Sequence, residues 1–159
     1  MTTDYTWKQN AWTGNYTLYR SNQPVGYLKK RNFFSAMMEA FTGSMTYTIG
    51  PAKWWLQQPL IIDQQDNKIG YIRYNKWGNR ATVNLHGKAY RWQYSNGLNT
   101  RWEIKNADGT AIGSSTGTPD EGALLAAGLY IHSRLRHRTT AIVILVLYVP
   151  MLLRFFMNR

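Results

Sequence analysis

At 159 residues the chain has the length of one domain, and a hydrophobic share of 44% gives it material for a core, which excludes disorder by composition. Nineteen lysines and arginines oppose eight acids, a formal charge of +11, and such a field attracts polyanions, meaning nucleic acid or an anionic membrane leaflet. The absence of cysteine excludes a disulfide framework, a thiolate nucleophile and a cysteine metal site.

The N-terminus, MTTDYTWKQN, lacks the apolar run of a secretory signal. From Tyr5 to about Ser115 the text consists of short runs with period-two alternation. Met45, Tyr47 and Ile49 alternate with Thr46 and Thr48, and Ala81, Val83 and Leu85 with Thr82, Asn84 and His86. Tyr90, Trp92 and Tyr94 alternate with Arg91 and Gln93, and Trp102 and Ile104 with Glu103 and Lys105. One apolar and one polar face is the signature of half-buried antiparallel strands. Turn signals at Thr13-Gly14-Asn15, Asn96-Gly97 and Asp108-Gly109 break the runs into hairpins, and the count comes to about twelve strands.

An internal repeat runs through this region. Leu18 to Gly26, Ile61 to Gly70 and Ile104 to Gly113 each read as an apolar strand, a polar turn and an aliphatic-glycine pair. The glycines are 44 and 43 residues apart, the size of a multi-strand unit. The spacing predicts related hairpin modules in which the glycine permits a bulge or a close strand approach.

At Thr118 the chemistry of the text changes. Thr118-Pro119-Asp120-Glu121 has the form of a capping box with proline at the first helical position. The helix it opens, Gly122-Ala-Leu-Leu-Ala-Ala-Gly-Leu-Tyr-Ile131, is apolar on every side and too short to span a bilayer. Enclosure by the strands satisfies both facts. Arg134, Arg136 and Arg138 follow, and then Ala141 to Leu153 without a charged residue. As a helix, residues 139–157 would rise about 1.5 Å each and just reach across a hydrocarbon core of about 30 Å. Pro150 is tolerated in such a span, and Arg154 can snorkel to the far interface.

The strand count, the strand–turn–Ile-Gly repeats and the apolar helix behind an acidic cap together resemble the tubby-like superfamily. That group comprises the tubby C-terminal domain, the plant LURP-one-related proteins and the phospholipid scramblases. The resemblance covers about residues 14–135, and its most specific piece is Asp120 to Ile131, which is similar to the central helix of the LURP-one-related members. It implies a mainly β fold: a closed antiparallel barrel of about twelve strands around a hydrophobic helix, here with a further C-terminal apolar helix. The expected organisation is a barrel domain at 1–136 with its central helix at 119–135, then the apolar helix 139–157 as a membrane anchor. The tubby domain's phosphoinositide-binding residues have no position-by-position match here, and no acidic cluster resembles a calcium loop.

No nucleophile elbow, P-loop or dinucleotide fingerprint is present, so neither a catalytic nor a cofactor-binding residue is expected. His86, His132 and His137 lack metal spacing and read as surface histidines. Turn propensity accounts for Asp63, Asp66 and Asp108. Trp54 and Trp55, consecutive on a strand, face opposite ways, so that one enters the core and the other lies outside as an interfacial anchor, with core or cross-strand packing of both as the default expectation. The candidate anionic-lipid contacts are Lys29, Lys30 and Arg31, their counterparts one repeat later, Arg73, Lys76 and Arg80, and Arg134, Arg136 and Arg138 before the apolar segment. The first six serve equally as solvated strand ends that protect sheet edges. The last three set the barrel on the cytoplasmic side of the membrane by the positive-inside rule.

The sequence thus predicts a non-enzymatic, membrane-associated binding or scaffold module whose partners are anionic lipid headgroups and a protein. The alternative is a nucleic-acid-binding barrel that uses exposed aromatics as stacking platforms.

Overall fold

A computed structural model describes residues 5–31, 36–43, 45–51, 58–77, 79–97, 101–112 and 121–136. Eleven strands form one antiparallel sheet in sequence order: β1 (Tyr5–Gln9), β2 (Tyr16–Arg20), β3 (Gln23–Lys30), β4 (Met38–Thr42), β5 (Met45–Pro51), β6 (Pro59–Ile62), β7 (Lys68–Tyr74), β8 (Arg80–Leu85), β9 (Lys88–Tyr94), β10 (Trp102–Lys105) and β11 (Ala111–Ile112). One helix, α1 (121–136), follows. The alternation read from the sequence has its expected meaning: Tyr47, Ile49, Ala81, Val83, Leu85, Tyr90, Trp92 and Ile104 are buried.

The helix explains the shape of the sheet. Ala123, Leu124, Ala126, Ala127, Leu129, Tyr130 and Ile131 are all at most 2% exposed, and buried Gly128 and half-buried Leu125 fill the one side these leave. A single sheet covers all sides of a helix only by wrapping around it. Small residues let the strands come close, and at Gly128 a Cβ would lie 2.4 Å from the Trp102 ring.

The expected closed barrel of about twelve strands is corrected in one respect. Among the described residues no ladder joins β1 to β11, so the sheet is an open run of eleven strands. Among the described residues β11 pairs with Ile104 and Lys105. At the start of β10 Trp102 stacks on Trp7 of β1, with ring centroids 5.1 Å apart and planes inclined by 29°. Aromatic packing thus joins the first strand to the tenth.

The repeat is structural. The β2–β3 ladder shifts register between Leu18 and Tyr19 opposite Gly26, and the β6–β7 ladder shifts between Ile61 and Ile62 opposite Gly70. At both glycines the backbone of the next strand comes too close for a side chain: a Cβ would lie 2.3 Å from the Phe41 carbonyl oxygen at Gly26 and 2.2 Å from that of Asn84 at Gly70. Gly113, the third repeat glycine, lies outside the described residues.

Every neighbouring pair is antiparallel, so all odd-numbered strands run one way. The turns after even-numbered strands gather at one end, the hairpin end. Two of them are two-residue turns with φ positive at both positions, Ser21-Asn22 and His86-Gly87, the geometry that matches strand twist. The odd-numbered strands β1, β3, β5, β7 and β9 finish at the opposite, loop end, where the described connecting residues are 10–15, 31, 36–37, 58, 75–77, 79, 95–97 and 101. Helix α1 starts at the hairpin end, where Tyr5 Oη donates to Glu121 Oε1 at 3.0 Å. It reaches the loop end, where Ser133 Oγ approaches Met38 Sδ at 3.5 Å.

Leu129, 1% exposed, tests the enclosure. Leu129→Asp puts a carboxylate without a partner into the core, a cost of several kcal/mol that should abolish the cooperative melt of a marginal domain, while Leu129→Met should preserve it. An aspartate variant that melts with the parent would contradict the wrap. Gly70→Val should lower stability by about 2–3 kcal/mol in denaturant titration, because strand β8 has to move away from the new side chain; an unchanged midpoint would show that the close approach is not real.

Candidate functional site

The loop end collects the basic residues singled out in the sequence. Lys30 and Arg31 are exposed where β3 ends, Arg73 is exposed one residue before the end of β7, Lys76 in the connection after it, and Arg80 at the start of β8. Arg134 and Arg136 are exposed in the last turn of α1, and Arg101, exposed before β10, joins them. Arg138 lies outside the described residues, as do Trp54, Trp55, His137 and the segment 139–157. The two clusters one repeat apart therefore do sit at the same end of the sheet.

Lys29 differs from its neighbours. Its Nζ lies 2.9 Å from Glu39 Oε1 and 4.9 Å from the centre of the Tyr27 ring, and Tyr27 Oη donates to the same carboxylate oxygen at 3.0 Å. The Lys29 ammonium holds the Glu39 carboxyl below its ordinary range, and the carboxylate raises Lys29 in turn. A lysine so paired presents little net charge to an outside partner.

Acids are distributed in the opposite sense. Among the described residues the loop-end connections contain none. Glu39 and Glu103 lie within strands, and Glu103 accepts from Lys105 Nζ and Gln93 Nε2 at 2.8 Å each. At the hairpin end Asp63 caps its turn by accepting from the Gln65 and Asn67 backbone N–H groups at 2.9 and 2.8 Å, and Asp108 accepts from Thr110 N–H at 2.9 Å.

Two functional candidates escaped the sequence reading. Trp12 is 97% exposed and Trp77 84% exposed, and both belong to loop-end connections. Each stands on a turn pinned by an asparagine. Asn10 Oδ1 accepts from Trp12 and Thr13 N–H at 2.9 and 3.0 Å, and Asn10 N–H donates to Asn15 O at 2.8 Å. Asn75 Oδ1 accepts from Arg80 N–H at 3.1 Å, and its Nδ2 donates to Asn79 Oδ1 at 2.8 Å. The usable signal was Asn10-Ala-Trp-Thr-Gly14 against Asn75-Lys-Trp-Gly78, a tryptophan two places after asparagine in a turn.

His132, read as a surface histidine, is 3% exposed. From Ala126 to Ser133 every residue of the helix is buried, so His132 faces the sheet although Arg134 is exposed two positions later. Its ring meets those of Trp7, Tyr16 and Tyr94 edge-on at 5.4, 6.0 and 6.0 Å, and Tyr94 Oη lies 3.4 Å from Nδ1. His86 is exposed in its turn with φ +49°. Among the described residues no group of three histidine, aspartate or glutamate side chains is arranged to hold a metal, and no helix is long and apolar enough to cross a membrane.

Burial, and after it the charge of Arg136, pushes the His132 pKa from 6.5 down to about 4. Between those values the unfolded chain binds a proton that the folded chain refuses. The stabilisation is therefore complete above about pH 6.5 and is lost as pH falls towards about 4, on the order of 3 kcal/mol in all. His132→Phe keeps the aromatic packing and removes the titration, so its stability should fall less over that interval when both proteins are unfolded in denaturant. Parallel pH profiles would contradict the burial of a neutral imidazole.

Comparison with protein-family models, with curated proteins and with solved structures finds no match for this chain.

Proposed function

We propose that the protein is a non-enzymatic, membrane-attached binding module of the tubby-like type, whose loop end faces an anionic lipid surface. The observation that carries the reading is the segregation of charge. Lys30, Arg31, Lys76, Arg80, Arg101, Arg134 and Arg136 lie at one end, where the two nearest acids, Glu39 and Glu103, are paired with Lys29 and Lys105, while at the other end Arg20, Lys68 and Lys88 are offset by Asp63, Asp66, Asp108 and Glu121. Each basic residue near an anionic leaflet contributes about 1 kcal/mol. The resemblance is supported by the wrap of one antiparallel sheet around an apolar helix, and closure into a full barrel would need a further strand between β11 and β1.

In this reading residues 139–157 are the membrane anchor. They follow from the helix end that carries Arg134 and Arg136, so the basic face and the anchor address the same leaflet. Arg138 completes that cluster, the barrel lies on the cytoplasmic side, and a protein partner has the remaining outer strand faces available.

The rival reading, a nucleic-acid-binding barrel, draws on the same cations together with Trp12 and Trp77. Stacking platforms follow a groove along which successive bases lie. These two tryptophans stand on separate loops with six strands between them. That arrangement favours a flat partner over a threaded one.

The full-length chain should stay with membranes through a high-salt wash. Deletion of 139–159 should release a folded β-rich domain, since the described helix that fills the sheet lies within residues 121–136, and this domain should bind phosphatidylserine-containing vesicles in a salt-sensitive way. Lys30→Glu with Arg31→Glu, and separately Lys76→Glu with Arg80→Glu, should each weaken that binding by about 2 kcal/mol or more. An aggregated truncation, or a folded one that binds single-stranded nucleic acid and ignores the vesicles, would overturn the proposal.

A further inference from the structure

We infer that Trp12 and Trp77 are a pair of interfacial anchors that insert into the headgroup layer and hold the barrel upright on the membrane. This rests on the reading of the loop end as a lipid-facing surface and adds what the basic residues cannot supply, which is depth and orientation. Charge attracts a protein to a leaflet from a distance and fixes no angle. An indole has a large apolar body and one N–H donor, which suits it to the boundary between headgroups and acyl chains.

Three observations carry the inference. The first is exposure. At 97% and 84%, these are the two large hydrophobic residues that stand clear of the protein surface among the described residues. Other tryptophans have found internal partners: Trp92 is fully buried, and Trp7 and Trp102 stack on each other.

The second is rigidity. Each indole is carried by a turn held through its asparagine, so the backbone presents the side chain outward. A tryptophan that merely lacked a partner would gain by folding back onto the barrel wall.

The third is placement. Trp12 follows β1 and Trp77 follows β7, both odd-numbered, so both stand at the loop end. The sheet wraps until Trp7 of β1 meets Trp102 of β10, which makes six strand steps more than half the circuit. The two indoles therefore lie on opposite sides of the face, with the last turn of α1 and its Arg134 and Arg136 between them. Two anchors on opposite sides of a basic end fix a line across it and resist tipping along that line, while the basic residues between and around them hold the face to the leaflet.

The occupant this geometry fits is an anionic bilayer. The face is positive, its apolar groups are separate points instead of one continuous patch, and a point anchor needs a partner that yields around it, as headgroups do.

The test is fluorescence quenching of the full-length protein in vesicles of phosphatidylcholine and phosphatidylserine with brominated acyl chains. Trp12→Phe with Trp77→Phe should lose most of the quenching seen in the parent, and each single substitution about half of that loss. Both residues lie on turn surfaces, so melting temperature should not change, and that control is read in parallel. If the parent is quenched and the double variant is quenched equally, the anchor inference fails while the lipid-facing reading survives. If the parent floats with the vesicles only when they lack phosphatidylserine, or not at all, both fail. A parent that forms dimers in detergent which the double variant loses, without quenching in either, would assign the face to a second copy and overturn the inference.

Discussion

A helix without a polar side has to be enclosed, and the rest of this structure follows from that constraint. Between Ala123 and Ile131 every residue of α1 but the half-buried Leu125 is buried. One antiparallel sheet meets the demand by curling until its ends meet. Curvature of that degree needs places where strands bend and approach, and the two repeat glycines supply them beside register shifts in the neighbouring ladders. Fully burying a leucine-sized side chain is worth about 1.5–3 kcal/mol, and the helix and the strand faces opposite it bury many such groups together.

The enclosure also makes the two ends of the molecule unlike. At the hairpin end the sheet is stitched by tight turns whose backbone demands glycine, asparagine or aspartate. Those turns take up Asp63 and Asp108 as caps, so the acids are spent on local geometry. At the loop end the connections are longer and the helix leaves the interior there, so long cationic side chains meet no steric objection. Just inside this end the core turns polar. His132 Nδ1, Tyr94 Oη and Ser133 Oγ lie beneath Arg136, and Ser133 Oγ donates to the Tyr130 carbonyl at 2.8 Å. The transition from apolar core to charged surface is made within one turn of helix.

Local information in the sequence carried the fold most of the way. The alternation at Ala81, Val83 and Leu85 predicted strand faces correctly, the glycine repeat predicted close approach, and the helix expected at 119–135 is described at 121–136. What escaped depends on pairs far apart in the chain. That Trp7 would meet Trp102 requires knowing where the two sheet ends come to rest. The neutralisation of Lys29 needs the β3–β4 register that sets it opposite Glu39. His132 looked wet because arginines follow it, and only the wrap around α1 shows that the basic surface begins two residues later. Trp12 and Trp77 were hidden by the reasonable prior that tryptophan packs inside. The asparagine that holds each turn was visible, but its consequence for the side chain was not.

The gathering of the basic clusters at one end has a simple origin in parity. The bulged ladders are β2–β3 and β6–β7, so the structural repeat advances by four strands. In an antiparallel meander an even number of strands returns the chain to the same end, travelling in the same direction. Whatever follows β3 must therefore share an end with whatever follows β7, and the clusters at Lys30-Arg31 and at Lys76 and Arg80 obey this. A repeat of three strands would have sent them to opposite ends and cancelled the polarity. Trp12 and Trp77 do not occupy equivalent places in the repeat, yet the same rule holds them together, because both follow odd-numbered strands. A charge of +11 spread evenly over a barrel would be a weak and directionless attraction. Even-strand repetition makes it a face.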